Sequence, residues 1–452
     1  MDHVKLRDKY FKFEYSKYNF ELVNNKLPIT FEYNISEKIY FQHKVIFEVD
    51  IRDKNKIYTP EFSNLVFHLG IAEMFSYWKA TCSPLIIITA GYLNDEQIDW
   101  WEDLLVKGMG QYFYENRIDF TPNNFLNITS LKRVAKGDPA QVEGEKTLIP
   151  LGGGKDSVVT LEILVRSDLI QNAVLVVQPT TSYSAKVIEK SGILDSISVS
   201  RELDPELFKL NSLGFLNGHV PYTNVLFLIS LISAYLGGYK NIVFSNEKSS
   251  DEGNINYLNK SINHQYSKTF EFENKIREYN HKYLSNVELF SFLRPLYDIQ
   301  IAKIFSRHDK FFEIIRSCNI GQKAGVWCCN CPKCLSTFIL LFPFTGPSKI
   351  LKIFPRNLYE HENLSNILDN LISESKVKPF ECVGTREELR VGLFLSLDQY
   401  KDGNLPKLLK YANNKYLKDK KALLDMAGKL LNNWDDNNNL PANFSAILRK
   451  EL

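Results

Sequence analysis

Leu148-Ile-Pro-Leu-Gly-Gly-Gly-Lys-Asp-Ser157 is an apolar run that passes through three glycines into a stretch with helical spacing, Ser157 to Arg166. Consecutive glycines let the backbone turn tightly and present its N–H groups, and a helix starting there adds the positive end of its dipole. Strand, loop and helix together predict a cradle for phosphate. Spacing excludes two familiar cradles. The Walker loop needs Ser or Thr directly after Gly-Lys, where Asp156 stands, and the dinucleotide fingerprint needs G-x-G-x-x-G. The bland alternative is an ordinary glycine turn, and the surrounding pattern weighs against it.

Around this stretch, short apolar runs at Thr147 to Leu151, Ala173 to Gln178, Ile197 to Val199 and Asn241 to Phe244 alternate with helical segments such as Thr223 to Leu236. That alternation is the mark of a parallel sheet covered by helices, hence an α/β fold with a nucleotide-type domain over residues 141–345. Upstream, YFKFEY, ITFEYNI and IYFQHKVIFEV alternate as half-buried antiparallel strands do. A helix at Ser63 to Thr81, a buried strand at Pro84 to Ala90 and a capping box at Asn94 and Gln97 complete an N-terminal α+β domain over 1–140. Gly137-Asp-Pro and the polar residues to Lys146 supply its linker. Beyond Phe342-Pro-Phe, Leu and Lys recur at helical spacing through Leu408 to Tyr416 and Lys421 to Leu431, which predicts a mainly helical region over 346–452.

A chain of 452 residues exceeds the size at which one core keeps growing, so two or three packed units are expected. Its 55 basic and 53 acidic residues leave a formal charge of +2, which argues against a dedicated nucleic-acid surface. The first nine residues carry charge where a secretory signal needs an apolar run. The longest apolar stretch, Val225 to Leu236, falls short of the roughly 20 residues that cross a bilayer, so no membrane span is expected. Seven cysteines, four of them between Cys328 and Cys334, are too few for a disulfide scaffold and agree with a reducing, cytoplasmic setting.

Three further groups carry candidate chemistry. Cys318, Cys328, Cys331 and Cys334 form C-x9-C-x2-C-x2-C, compatible with tetrahedral structural Zn2+; the alternatives are a metal-free cluster and a catalytic thiol, with Cys329 the spare. Ser245, Asn246 and Glu247 follow an apolar strand, where ligands collect in open α/β sheets, so Glu247 is a candidate for Mg2+ or a substrate amine and Asn246 for substrate contact. His264 and Lys268 stand one helical turn apart, so that a base and a cation share a face; a solvated loop is the alternative. Arg294 would clamp a carboxylate or phosphate, or pair with a structural acid.

The glycine stretch resembles the SGGxDS loop of PP-loop ATP pyrophosphatases, whose members bind the pyrophosphate part of ATP and transfer AMP. Gly153, Gly154, Asp156 and Ser157 match that motif, Lys155 takes its variable position, and Gly152 departs from its first Ser. Taken with Leu65 to Lys79, Asn217-Gly-His-Val-Pro-Tyr, SNEKSSDEGN, NHQYSKTFEFE, FLRPL, WCCNCPKC and Lys378-Pro-Phe-Glu-Cys-Val-Gly, the chain resembles the UDP-N-acetyl-alpha-D-muramoyl-L-alanyl-L-glutamate epimerase (MurL) family. The resemblance covers most of the chain beyond residue 60. It implies an ATP- and Mg2+-dependent inversion of the terminal L-Glu of UDP-N-acetylmuramoyl-L-alanyl-L-glutamate through an acyl-adenylate, giving AMP and diphosphate. In that scheme His264 and Glu247 are the candidates for proton transfer, while Lys155 and the loop N–H groups of Gly152, Gly153 and Gly154 stabilise the departing diphosphate. The rival readings are a PP-loop ligase or thiolase acting on another substrate, tRNA included, and a nucleotide-binding scaffold without turnover.

Overall fold

The computed structural model describes residues 2–48, 54–130, 138–167, 171–178, 182–321, 324–401 and 403–452. Gly137 of the expected linker lies outside them. Twelve strands are described: β1 (Lys12–Phe20), β2 (Lys26–Ile35), β3 (Ile39–Glu48), β4 (Leu85–Ile88), β5 (Asn127–Ser130), β6 (Lys146–Pro150), β7 (Asn172–Gln178), β8 (Ser196–Glu202), β9 (Tyr239–Phe244), β10 (Ile255–Tyr257), β11 (Lys260–Ile262) and β12 (Glu288–Ser291). Ten of them form one sheet in the order β12-β9-β6-β7-β8-β3-β2-β1-β4-β5, and β10 with β11 makes a separate hairpin.

The α/β reading holds, with a long stretch of parallel pairing around the glycine loop. Strands β12, β9, β6, β7 and β8 run parallel, as apolar runs covered on both faces require. Their successive residues alternate between two apolar clusters: Leu148, Leu175 and Ile242 face one, Ile149, Val174 and Val243 the other. The first cluster is closed by helices Pro60–Trp78 and Tyr222–Gly237, and the second by Lys155–Arg166, Asp298–Phe305 and Pro332–Lys349. The capping box expected at Asn94 forms in both halves, Gln97 N–H to Asn94 Oδ1 at 2.9 Å and Asn94 N–H to Gln97 Oε1 at 3.2 Å.

The antiparallel meander β1–β3 joins the parallel strands through β3 and β8, which pair antiparallel from Lys44 opposite Glu202 to Glu48 opposite Ser198. A buried cluster pins this seam. Glu73, on helix Pro60–Trp78, receives a fork from Arg201 of β8 (Nε to Oε1 2.8 Å, Nη2 to Oε2 2.5 Å) and lies 3.3 Å from Nε2 of His43 on β3. Burial opposes the Glu73 carboxylate, but Arg201 and His43 hold its pKa far below the usual range.

Beyond residue 346 the longer described elements are the helices Arg386–Ser396, Lys407–Tyr416, Lys420–Leu431 and Ala442–Arg449, joined by turns and irregular segments. Among the described residues Pro332–Lys352, rather than Val225 to Leu236, is the stretch long and apolar enough by length and composition to cross a membrane, with mean hydropathy 1.4. Pro343, Pro347 and a kink at Gly346 (φ 70°) interrupt it, which masked its length in the sequence. Most of it is buried inside the molecule, as in a core helix of a globular fold.

Removing one partner of the seam leaves a buried charge uncompensated. Glu73→Ala should therefore lower the unfolding free energy by about 3–5 kcal/mol, read from urea denaturation. Because the folded pKa is depressed, the Glu73 contribution is fully present above its ordinary value of 4.5 and fades only as pH falls toward the folded pKa, so the wild-type advantage over the variant should shrink in strong acid.

Candidate active site

Strand β6 ends at Pro150 and the chain turns through Gly152–Gly154 into helix Lys155–Arg166. Gly153 has φ +76°, a conformation that an L side chain resists. A Cβ on Gly152 would meet no atom within 4 Å, so the loop faces open space there. Gly154 is the N-cap and supplies no side chain to the first-turn N–H groups; the Ser157 hydroxyl turns back to donate to the Gly154 carbonyl at 3.0 Å. This is a helix end prepared for an anion.

Lys155 is buried, and its ammonium is taken up by the carboxylates of Asp156 and Asp298. Burial opposes its charge, yet the two acids raise its pKa above the ordinary lysine value. Burial likewise opposes the Asp156 carboxylate, but the charges of Lys155, Lys333 and Lys268 carry its pKa below the usual range. Asp298 opens the helix Asp298–Phe305, its N–H bonded to Ser249 Oγ at 2.9 Å. Glu247, just past β9, sits among these groups: burial first, then the Asp156 charge, pushes its pKa up to about 7 against the pull of Lys268.

Lys268 connects the loop to a second group. Its Nζ is 3.3 Å from Cys382 Sγ, and its charge bears on Asp156, Glu247, His264 and His219. His264 Nδ1 meets Gln111 Oε1 at 2.6 Å, which places a proton on Nδ1 and leaves Nε2 as the basic nitrogen. The rings of His219 and His264 lie 4.3 Å apart. Burial and then the Lys268 charge hold His264 at about 4, and burial with the His264 and Lys268 charges holds His219 at about 3. The segment carrying His264 and Lys268 differs from the helical turn that their spacing suggests. Asn263 Oδ1 accepts from Gln265 N–H at 2.7 Å, bending the chain into a turn ahead of a short 3-10 helix, Tyr266–Lys268.

Asn246 and Arg294 stand just behind these groups. Asn246 Nδ2 donates to Ser291 Oγ at 3.0 Å. Arg294 is fully buried: it donates to the carbonyl oxygens of Glu247 (2.8 Å) and Lys268, to Ser250 Oγ (3.2 Å) and to Glu273 Oε2 (3.4 Å). It therefore ties the Glu247 segment to the Lys268 segment.

The sulfur atoms of Cys318, Cys328, Cys331 and Cys334 all lie within 4.8 Å of one another, the one such metal-capable group among the described residues. Backbone N–H groups approach three of them: Gly321 to Cys318 at 3.1 Å, Asn330 to Cys328 at 3.4 Å and Cys334 to Cys331 at 3.4 Å. Cys329 stays outside the group, buried, with its carbonyl bonded to Arg356 at 3.2 Å. The cluster abuts the glycine loop, since Arg316 N–H reaches the Gly153 carbonyl at 3.4 Å.

A family model described as the MurL N-terminal domain matches residues 4–292, and one described as the MurL C-terminal domain matches 314–422. The chain belongs to the MurL family. It is similar to three curated proteins that bear the name UDP-N-acetyl-alpha-D-muramoyl-L-alanyl-L-glutamate epimerase. Identity is 31% over 325 residues with that of Xanthomonas oryzae pv. oryzae, covering 70% of this chain and 71% of the relative. It is 33% over 351 residues with that of a Micromonospora species (75% and 77%) and 32% over 339 residues with that of Salinispora tropica (73% and 72%). No solved structure matches the chain.

Within this MurL chain the site gathers residues that sequence reasoning left unassigned: Asp298, His219, Cys382 and Gln111. His219 and Cys382 lie in the strings that carried the family resemblance, which was the available signal; Gln111 had none.

The low imidazole pKa values give a direct test. His219 and His264 should both stay neutral at pH 5.5 in NMR titrations of the labelled imidazoles. Between the ordinary value of 6.5 and about 4 the unfolded chain binds a proton that folded His264 refuses, so this residue makes stability fall as pH falls through that window.

Proposed function

We propose that this protein inverts the terminal L-Glu of UDP-N-acetylmuramoyl-L-alanyl-L-glutamate to D-Glu, with ATP and Mg2+, through an acyl-adenylate, releasing AMP and diphosphate for peptidoglycan precursor synthesis. The observation that carries this reading is the glycine loop, with Gly153 at φ +76° and no side-chain cap at the helix start, beside a buried Lys155 held by Asp156 and Asp298. The names of the three relatives supply the substrate.

An α-proton beside an ionised carboxylate is very hard to remove, because the carbanion would form next to a negative charge. AMP transfer from ATP to that carboxylate removes the charge and lets the carbonyl take up electron density. The open space at Gly152, the strained φ of Gly153 and the uncapped helix start fit a phosphate chain. Asp156 and Glu247 are hard oxygen donors of the kind that would hold Mg2+. Lys155, held by Asp156 and Asp298, fixes the loop against the helix Asp298–Phe305. His264 Nε2 then removes a proton, with Gln111 holding the tautomer that leaves this nitrogen free. In this reading Arg294 positions the Glu247 and Lys268 segments, and Asn246 contributes at the end of β9.

The four-sulfur group is proposed to hold structural Zn2+, for which its donor type and close spacing are suited, and to brace the loop through Arg316. A cytoplasmic location follows from the same reading, since thiols such as these persist reduced there.

Turnover of the L,L-dipeptide nucleotide in deuterated water should place deuterium at the α-carbon of a D-Glu product only when ATP and Mg2+ are both present. Consumption of ATP with no exchange of that hydrogen would point instead to a ligase. Asp156→Asn should cut pyrophosphate release at least 100-fold while circular dichroism stays unchanged. Metal analysis should find close to one zinc per chain, lost in Cys334→Ser together with thermal stability; a fully active, zinc-free protein would overturn the structural-zinc proposal.

A further inference from the structure

Inversion at a carbon requires a proton to leave one face and another to arrive on the opposite face. His264 supplies one of these groups. The His219 ring lies tilted beside that of His264, centroids 4.3 Å apart, so the two imidazoles occupy one corner of the site. Glu247 belongs with the loop, among Asp156, Asp298 and Lys155.

A candidate for the other is Cys382, half-buried, with its sulfur 3.3 Å from the Lys268 ammonium. Its segment is built against that of His264 by a single side chain. Asn254 Oδ1 accepts from the His264 backbone N–H at 2.8 Å, while Asn254 Nδ2 donates to the carbonyls of Pro379 at 2.8 Å and Lys378 at 3.3 Å. Lys333 donates to the Cys382 carbonyl, and its backbone N–H bonds Glu381 at 2.9 Å, which fixes the segment from the other end. A structural cysteine is packed among apolar groups and stays an inert thiol; this one is set against an ammonium.

Resting on the epimerase reading, we propose that Cys382, sharing a proton with Lys268, protonates the α-carbon of the glutamyl residue on the face opposite His264. Burial pushes the Cys382 thiol up, but the Lys268 and Lys333 charges bring its pKa below that of a free thiol, so the shared proton rests near the nitrogen. In the forward direction the Cα–H bond breaks, His264 Nε2 takes the proton and the electron pair moves into the acyl carbonyl. The pair then returns to Cα as Lys268 Nζ passes its proton to Cys382 Sγ and the S–H bond breaks to form the new C–H bond, leaving Sγ again a thiolate and Lys268 neutral. Solvent removes the proton from the His264 imidazolium and restores the one on Lys268, so the enzyme returns to its starting state. A two-sided arrangement of this kind gives inversion without rotating the substrate.

The test uses the full-length enzyme with ATP, Mg2+ and the L,L-dipeptide nucleotide in deuterated water, following pyrophosphate, α-carbon configuration and deuterium content together. Cys382→Ala and Cys382→Ser should slow inversion at least 100-fold, while pyrophosphate release falls less than ten-fold. The dipeptide recovered from both variants should remain L,L yet carry α-deuterium, because His264 still removes and returns a proton on its own face. His264→Asn should leave the recovered L,L-dipeptide unlabelled. Inversion by Cys382→Ala within three-fold of wild type would overturn the assignment and leave the epimerase reading standing. Equal loss of inversion and pyrophosphate release in both Cys382 variants would also overturn it, by placing the residue in binding. Failure of the wild type to invert this substrate at all would overturn the functional reading and the assignment with it.

Discussion

The ammonium of Lys155 is the charge on which the site's geometry depends. A buried cation is stable only when acids surround it, and Lys155 is held by Asp156 of its own helix and by Asp298, 143 residues further on. That pairing docks the glycine loop against the helix Asp298–Phe305. One ammonium between two carboxylates leaves a negative excess, and Lys268 and Lys333 answer it from other segments. Glu247 sits in the same group, and burial first, then the Asp156 charge, pushes its pKa up to about 7. The charges of the site thus come from segments far apart in the chain, and the ionisation of Lys155, Asp156 and Glu247 depends on them.

The parts of the fold governed by local rules were legible in the sequence. Strand β6, the glycine turn, the helix after it and the Asn94 capping box all follow from period, glycine placement and cap chemistry, which act within a few residues. The four-cysteine spacing was equally readable and the sulfurs do converge. What escaped depends on which segments meet. Lys155 is drawn to an acid that the local string LGGGKDS does not contain. His264 and Lys268 look like neighbours on a helix, yet the Asn263 side chain offers the backbone a turn instead. Arg294 in an apolar string reads the same whether its guanidinium meets a ligand or buried carbonyls, and only the fold supplies the carbonyls of Glu247 and Lys268.

The cysteine group and the chemical site form a continuous structure. Arg316, two residues before Cys318, bonds the glycine loop, and Lys333, between Cys331 and Cys334, bonds the Cys382 carbonyl. A brace at the sulfurs thus sets the position of the loop and of the segment facing His264. This is how distant, well-packed elements hold a site to the tolerance that chemistry demands.

The seam between β3 and β8 also orders events in time. Strand β3 is complete at Glu48, but its partner begins at Ser196, so during synthesis the outer edge of the meander waits roughly 150 residues, about 7 to 30 seconds at ordinary elongation rates, for the strand that covers it. An uncovered edge in a nascent chain is an invitation to pair with the wrong strand. Lys44 and Glu48 put charge on that edge, which disfavours wrong pairing in the interval, and Arg201 then ties the late arrival to Glu73 of helix Pro60–Trp78, already synthesised.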